Sequence, residues 1–223
     1  MKSSRDKILC ALGTDALKRV EDAVGRAEAG TSGEIVTYFA WECDRYPEAV
    51  WKGAALAVAI ACLAIIIADR RQPLWQPLHQ LLAAILAAAA LGAGAGRFLA
   101  PLRRWLIGPR RLAAMAHRRA EEVFLHKELF KTAQRTGILI FVSLFERHTV
   151  VLADSGINAK VGQQDWDRAV AHVIDHAGKA GLAEGMVRAV DHCHQLLLQK
   201  GFKAAPGDRN ELSDKPLLDG DGA

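Results

Sequence analysis

The chain is poor in the residues that mark a catalytic or disulfide-built protein. Its four cysteines, Cys10, Cys43, Cys62 and Cys193, form no CxxC pair and no even spacing, which excludes a zinc ribbon and a disulfide scaffold and reads as reduced thiols. Aromatic residues make up only 6% of the chain although 51% is hydrophobic, so Ala, Leu and Ile carry the apolar weight. No glycine-rich phosphate loop follows a strand, and Ser143 lacks a GxSxG setting. The N-terminal stretch, with Asp6, Asp15, Glu21 and Asp22, has no apolar core of a signal peptide, so no cleavage or export is expected. The net charge of +4 forms no general basic stripe, which argues against nucleic acid as a partner.

Charge is missing altogether from one block. Ala49 to Ala68 contains Lys52 as its only charge, and Gln72 to Gly96 contains no Asp, Glu, Lys or Arg. Two membrane spans are expected, at about 49–68 and 78–100, joined by a short loop with Pro73 and Pro77. Trp75 and Trp105 are placed as interface anchors. Gly53, Ala57 and Ala61, with Gly92 and Gly96, have the small-residue spacing that lets helices approach closely in lipid, within the hairpin or in self-association. Arg45 and Lys52 precede the spans and seven arginines lie from Arg97 to Arg119, against Arg70 and Arg71 in the loop. The positive-inside rule then puts both polar portions in the cytoplasm, the basic residues beside anionic lipid, and the protein in a bacterial inner membrane.

The flanks read as halves of one α/β unit: 1–45 before the hairpin region 46–105, then 106–204, then a polar tail 205–223. Leu17, Val20, Val24 and Ala27 keep helical spacing, and Gly30 to Gly33 end the helix. Glu34 to Cys43 reads as a strand with Ile35, Thr37, Phe39 and Trp41 on one face and Val36, Tyr38 and Ala40 on the other. Arg110 to about Gln134 reads as a helix. Thr136 to Phe145 and His148 to Ala153 read as strands of a hairpin turning at Glu146 and Arg147, followed by two amphipathic helices broken at Gly178 to Gly181. The spans are thus an insertion between a strand and the helix that returns to its partner strand.

The segments "EAGTSGEIVTYFA", "YPEA", "RTGILIFVSLFERHTVVLADSGI", Trp166 and "DRNEL" (Asp208 to Leu212), in this order, resemble the TPM domain family, in the bacterial branch with a transmembrane hairpin inside the domain. Ser213 stands where the family has Pro. The resemblance implies an α/β/α sandwich with a small mixed sheet. Among relatives it implies acid-phosphatase activity and calcium binding in some, and assembly of photosystem II or receptor complexes in others.

Two carboxylates are candidates for a site. If strands two and three form a hairpin, Asp154 returns to the end of the sheet where Glu34 begins, and the pair would attract calcium or magnesium through oxygen ligands. Asp208, Asn210, Glu211 and Asp214 would add oxygens if the tail folds back. His172 and His176 at i, i+4, with His192, Cys193 and His194, form a weaker zinc pattern, read in preference as solvent-exposed histidines. Glu42, Asp44 and Arg45 mark the entrance to the first span. The expectation is a membrane-anchored interaction or assembly module with an unidentified membrane-protein partner; the alternative is a divalent-metal phosphatase using Glu34 and Asp154.

Overall fold

A computed structural model describes residues 3–71, 76–162, 164–168, 170–171, 181–204 and 211–220. Trp75, His172, His176, Asp208 and Asn210, named above, lie outside them. The chain divides into two compact units, residues 1–43 with 114–223, and residues 44–113.

The first unit is an α/β/α sandwich. Its sheet has the order β3-β2-β1-β4, with β1 Glu34–Ala40, β2 Gly137–Ser143, β3 His148–Ala153 and β4 Leu217–Leu218. β1 runs parallel to β2 and to β4, and β2 pairs antiparallel with β3. Every residue of β1 and β2 is buried, as the two-sided apolar pattern requires. One face, with Ile35, Phe39, Ile138 and Ile140, packs on α1 (Ser4–Leu12), α2 (Thr14–Glu28) and the helix Leu182–Gln199. The other, with Val36, Tyr38, Leu139 and Phe141, packs on Ala116, Ala120 and Val123 of the helix Pro109–His126. Tyr38 and Phe141 stack across β1 and β2 with ring centroids 5.6 Å apart.

Four features depart from the sequence pattern. The helix expected to reach Gln134 stops at His126, because Glu128 adopts a left-handed conformation (φ 55°) and a 3-10 turn over Leu129–Lys131 follows. The strand hairpin turns over four residues, since Ser143 pairs with His148, and Arg147 takes the positive φ of 53°. Helix α1 has little apolar periodicity to announce it and buries only Ile8 fully. The tail beyond residue 210 returns to pair Leu217 and Leu218 with Tyr38 and Phe39.

The second unit is a helical hairpin. α3 (Pro47–Arg71) and α4 (Leu78–Phe98) are the two helices long and apolar enough to cross a membrane among the described residues, with mean hydropathy 2.3 and 1.7. They lie antiparallel: a Cβ on Gly96 would meet Ala49 O at 2.3 Å, and one on Gly92 would meet Gly53 O at 2.3 Å. The small-residue face is used up inside the hairpin, while Leu63, Leu82, Leu86 and Leu91 point outward. α5 (Ala100–Ile107) follows a break at Leu99, with Pro101 in its first turn, and Gly108 (φ 87°) separates it from α6, the helix Pro109–His126. Arg103 is buried, donates to Arg45 O at 2.6 Å and lies 5.7 Å from the Tyr46 ring centre. Lys52 Nζ donates to Leu106 O at 3.0 Å, and Arg111 pairs with Glu48 at 3.2 Å. These contacts fasten 99–113 to the start of α3, so this unit extends past the boundary at 105 that hydropathy suggests.

Candidate functional site

The strand register places the two carboxylates. Glu34 opens β1 opposite Gly137 of β2, and Asp154 follows β3, its N–H donating to Gly137 O at 2.9 Å. Both are buried, in one row, with the whole of β2 between them. Two strand spacings put the two backbones roughly 10 Å apart. Gly137 is obligatory there, because a Cβ would sit 2.2 Å from Leu129 O.

Each carboxylate has its own employment. Asp154 is the N-cap of the short helix α7 (Ser155–Asn158), accepting from Ser155 N at 2.6 Å and Ser155 Oγ at 3.2 Å, and its other oxygen meets Arg135 Nε at 2.9 Å. Glu34 accepts from the backbone N–H groups of Glu211 and Leu212, both at 3.3 Å. Glu34 is thus bonded to the returning tail, and Asp154 to α7 and Arg135. Among the described residues no three His, Cys, Asp or Glu side chains converge on a metal position.

What gathers around Glu34 is a carboxyl cluster. Glu28 ends α2, accepts from Ile35 N at 2.8 Å and hydrogen-bonds the side chain of Asp214. Glu211 accepts from Ala133 N at 2.8 Å. A recess of about 30 Å³ lies between Glu34, Thr136 and Glu211. Burial pushes the Glu28 carboxyl up to about 9, and the negative charges of Asp214 and Glu34 add to this against the Ile35 N–H. Glu28 thus carries a proton at neutral pH and donates it toward Asp214. In the sequence Glu28 is given no role; the turn from Gly30 to Gly33 reverses the chain and sets the end of α2 beside the start of β1.

The sign of the pH effect follows. Between the ordinary value of 4.5 and about 9 the folded chain holds a proton that the unfolded chain lacks, so this contribution to stability falls as pH rises through that window. Glu28→Gln keeps an acceptor for Ile35 and a donor for Asp214 without a titrating proton. It is expected to stabilise the α/β unit at pH 8 by about 1 to 2 kcal/mol, allowing for solvent screening at a half-buried group, and to flatten the fall in unfolding midpoint from pH 5 to 9. Unchanged pH dependence of thermal unfolding in the variant contradicts the assignment.

At the other end of β1 and β2 the buried carboxyl of Glu146, which the sequence did not single out, accepts from Cys43 N at 2.9 Å and from Ser143 Oγ. Burial, then the neighbouring Glu146, pushes the Cys43 thiol up to about 12, so it is no thiolate nucleophile. Ser143 gives its hydroxyl proton to a carboxyl group rather than to an imidazole, although His148 is its strand partner. Burial and His117 hold His148 below its ordinary value. The set ties the β2–β3 turn to the end of β1. Asp44 meets Arg111 at 3.5 Å within the hairpin unit. His194 Nδ1 lies 2.9 Å from Ala27 O, and His192 and His194 are half-buried rather than fully exposed.

A cleft of about 370 Å³ opens where β4 borders β1, lined by Ser3, Tyr38, Arg119, His126, Lys127 and Asp219 among others. Asp219 Oδ1 accepts from Tyr38 Oη at 3.4 Å and from Arg119 Nη2 at 3.2 Å. Burial, followed by the Asp219 charge, pushes the Tyr38 hydroxyl up to about 12, which keeps it neutral. The cleft mixes both signs of charge and holds no paired nucleophile and base.

No protein-family model and no curated protein matches the chain. Among solved structures it is similar to the BA42 protein from the psychrophilic bacterium Bizionia argentinensis, determined by NMR, at 17% identity and a TM-score of 0.56, over 93% of this chain and 95% of that one. At that identity the likeness concerns the fold alone.

Proposed function

We propose that this protein is a membrane-anchored, TPM-like interaction or assembly module, its α/β unit held at the cytoplasmic face of a bacterial inner membrane by α3 and α4. One observation carries the reading. The two helices pack on each other through a single glycine face and turn Leu82 (51% exposed), Leu86 (70%) and Leu91 (75%) away from that face, an arrangement that suits an apolar medium. The polar groups nearest the sheet ends, Asp154, Glu34 and Glu146, are each engaged in bonds that hold the fold together, which supports docking over catalysis.

The experiment has two arms. In alkaline-washed membranes the full chain is expected to stay in the pellet, and exposed Cys10 is expected to resist a membrane-impermeant thiol reagent in intact cells; buried Cys193 is unsuited as a reporter. Release by the wash, or labelling of Cys10 before lysis, overturns the anchor or its orientation. The purified protein is expected to leave a generic phosphate monoester intact with calcium or magnesium present. Hydrolysis that disappears in Asp154→Ala favours a metal-dependent phosphatase instead.

A further inference from the structure

We propose that α5 lies in the membrane surface as an interfacial helix, its outer apolar face among the lipid headgroups and the flanking Arg97 and Arg110 on the phosphates of anionic lipids. This rests on the membrane reading of α3 and α4 above.

Length fixes the level of α5. From Trp51 to Arg70 in α3, and from Leu78 to Arg97 in α4, helical rise gives roughly 28 Å, close to the thickness of a bilayer's hydrocarbon core. The chain therefore reaches the headgroups at Arg97, and α5 starts three residues later at Ala100. There α4 cannot continue straight: Leu99 is extended (φ −89°, ψ 97°) and Pro101 opens a new helix. α5 does not drift free, since Arg103 donates to Arg45 O just before α3 and the Leu106 carbonyl accepts from Lys52 in the second turn of α3.

The inner face of α5 is taken by buried Arg103 and Ile107. Outward on α5 itself is Trp105 (69% exposed), and immediately before the helix Phe98 at the end of α4 (83%) and Leu99 in the break (54%) are exposed too, apolar groups at the level where amphipathic rings settle. Trp51, 62% exposed in α3, lies at the same end of the hairpin. Charge completes the match: from Arg70 to Ala120 the chain has nine arginines and no Asp or Glu. Arg103 and Arg111 are spent on internal contacts, whereas Arg97 and Arg110 are exposed on either side of α5. Apolar groups bordered by cations, without carboxylates, suit a negatively charged bilayer surface.

The test uses the full chain in phosphatidylcholine–phosphatidylglycerol vesicles, with Trp51 and Trp75 replaced by Phe. Trp41 and Trp166 belong to the core and give a background that a W105F chain subtracts. Lipids brominated near the headgroup are expected to quench Trp105 more than lipids brominated at mid-chain. Brominated phosphatidylglycerol is expected to outdo brominated phosphatidylcholine at equal mole fraction, an enrichment of roughly fivefold per arginine at low salt that R97A/R110A abolishes. A Leu86→Trp chain reports the bilayer centre. If Leu86→Trp is quenched from mid-chain while Trp105 is quenched by neither lipid, α5 stands off the membrane and the proposal fails. Equal quenching by the two brominated lipids overturns the anionic preference. If Leu86→Trp is not quenched either, the membrane reading itself is wrong.

Discussion

Gly92→Val is expected to force α3 and α4 apart. A Cβ at this position would lie 2.3 Å from Gly53 O, 2.5 Å from the Ala57 Cβ and 3.0 Å from Gly53 C. Two of these neighbours are backbone and cannot rotate away, so relief comes only from separating the helices by an ångström or more. Separation also loosens the contacts of Gly96 with Ala49 and of Gly53 with Gly92, because all lie along one seam. In the lipid setting proposed above, close van der Waals contact is what holds the helices together, and overpacking the seam is expected to cost about 1 to 3 kcal/mol. Nitroxides at exposed positions 56 and 91, in a chain whose native cysteines are replaced, read the separation directly. Gly94→Val is the control, since nothing lies within 4 Å of its Cβ and the distance should not move. An unchanged distance in Gly92→Val refutes the packing argument.

The second large effect is expected at Glu146. It is 5% exposed, and its carboxyl group receives two donors, the part-buried Cys43 N–H and the buried Ser143 hydroxyl. Glu146→Ala leaves both without their acceptor and opens a void under the β2–β3 turn. Each stranded buried donor costs about 1 to 3 kcal/mol, so a total near 3 kcal/mol is expected. Glu146→Gln keeps one acceptor oxygen and should recover a good part. Urea unfolding in detergent micelles, followed through the sheet signal, checks both. A Glu146→Ala chain within about 1 kcal/mol of the parent shows that the carboxyl group is not the tie described here.

The sheet was readable because its strands are short, continuous apolar runs between clear breaks, and burial on both faces demands such runs. The same holds for α3 and α4, where absence of charge is itself the signal. What escaped is what does not repeat. α5 spans eight residues, too few for periodicity to show, and its identity depends on the Leu99 break and on Arg103 reaching back across the hairpin. β4 is two leucines in a polar tail, recognisable only once the edge of β1 is in place. Asp154 and Glu34 reached the same end of the sheet as expected, yet register set β2 between them. Glu146 reads in the sequence only as a turn residue and Glu28 only as the end of a helix, because a lone glutamate gives no sign of what will surround it; the fold makes one a knot and the other a proton holder.

Insertion of the hairpin between neighbouring strands has a bearing on biosynthesis. All seven residues of β1, buried in the finished sheet, have emerged well before β2 is made, because residues 41–136 must be translated first. At bacterial elongation rates that interval is roughly 5 to 20 s, long compared with hairpin insertion or collapse. During it the first strand is an open ledge, vulnerable to pairing with any stray strand until its neighbour arrives.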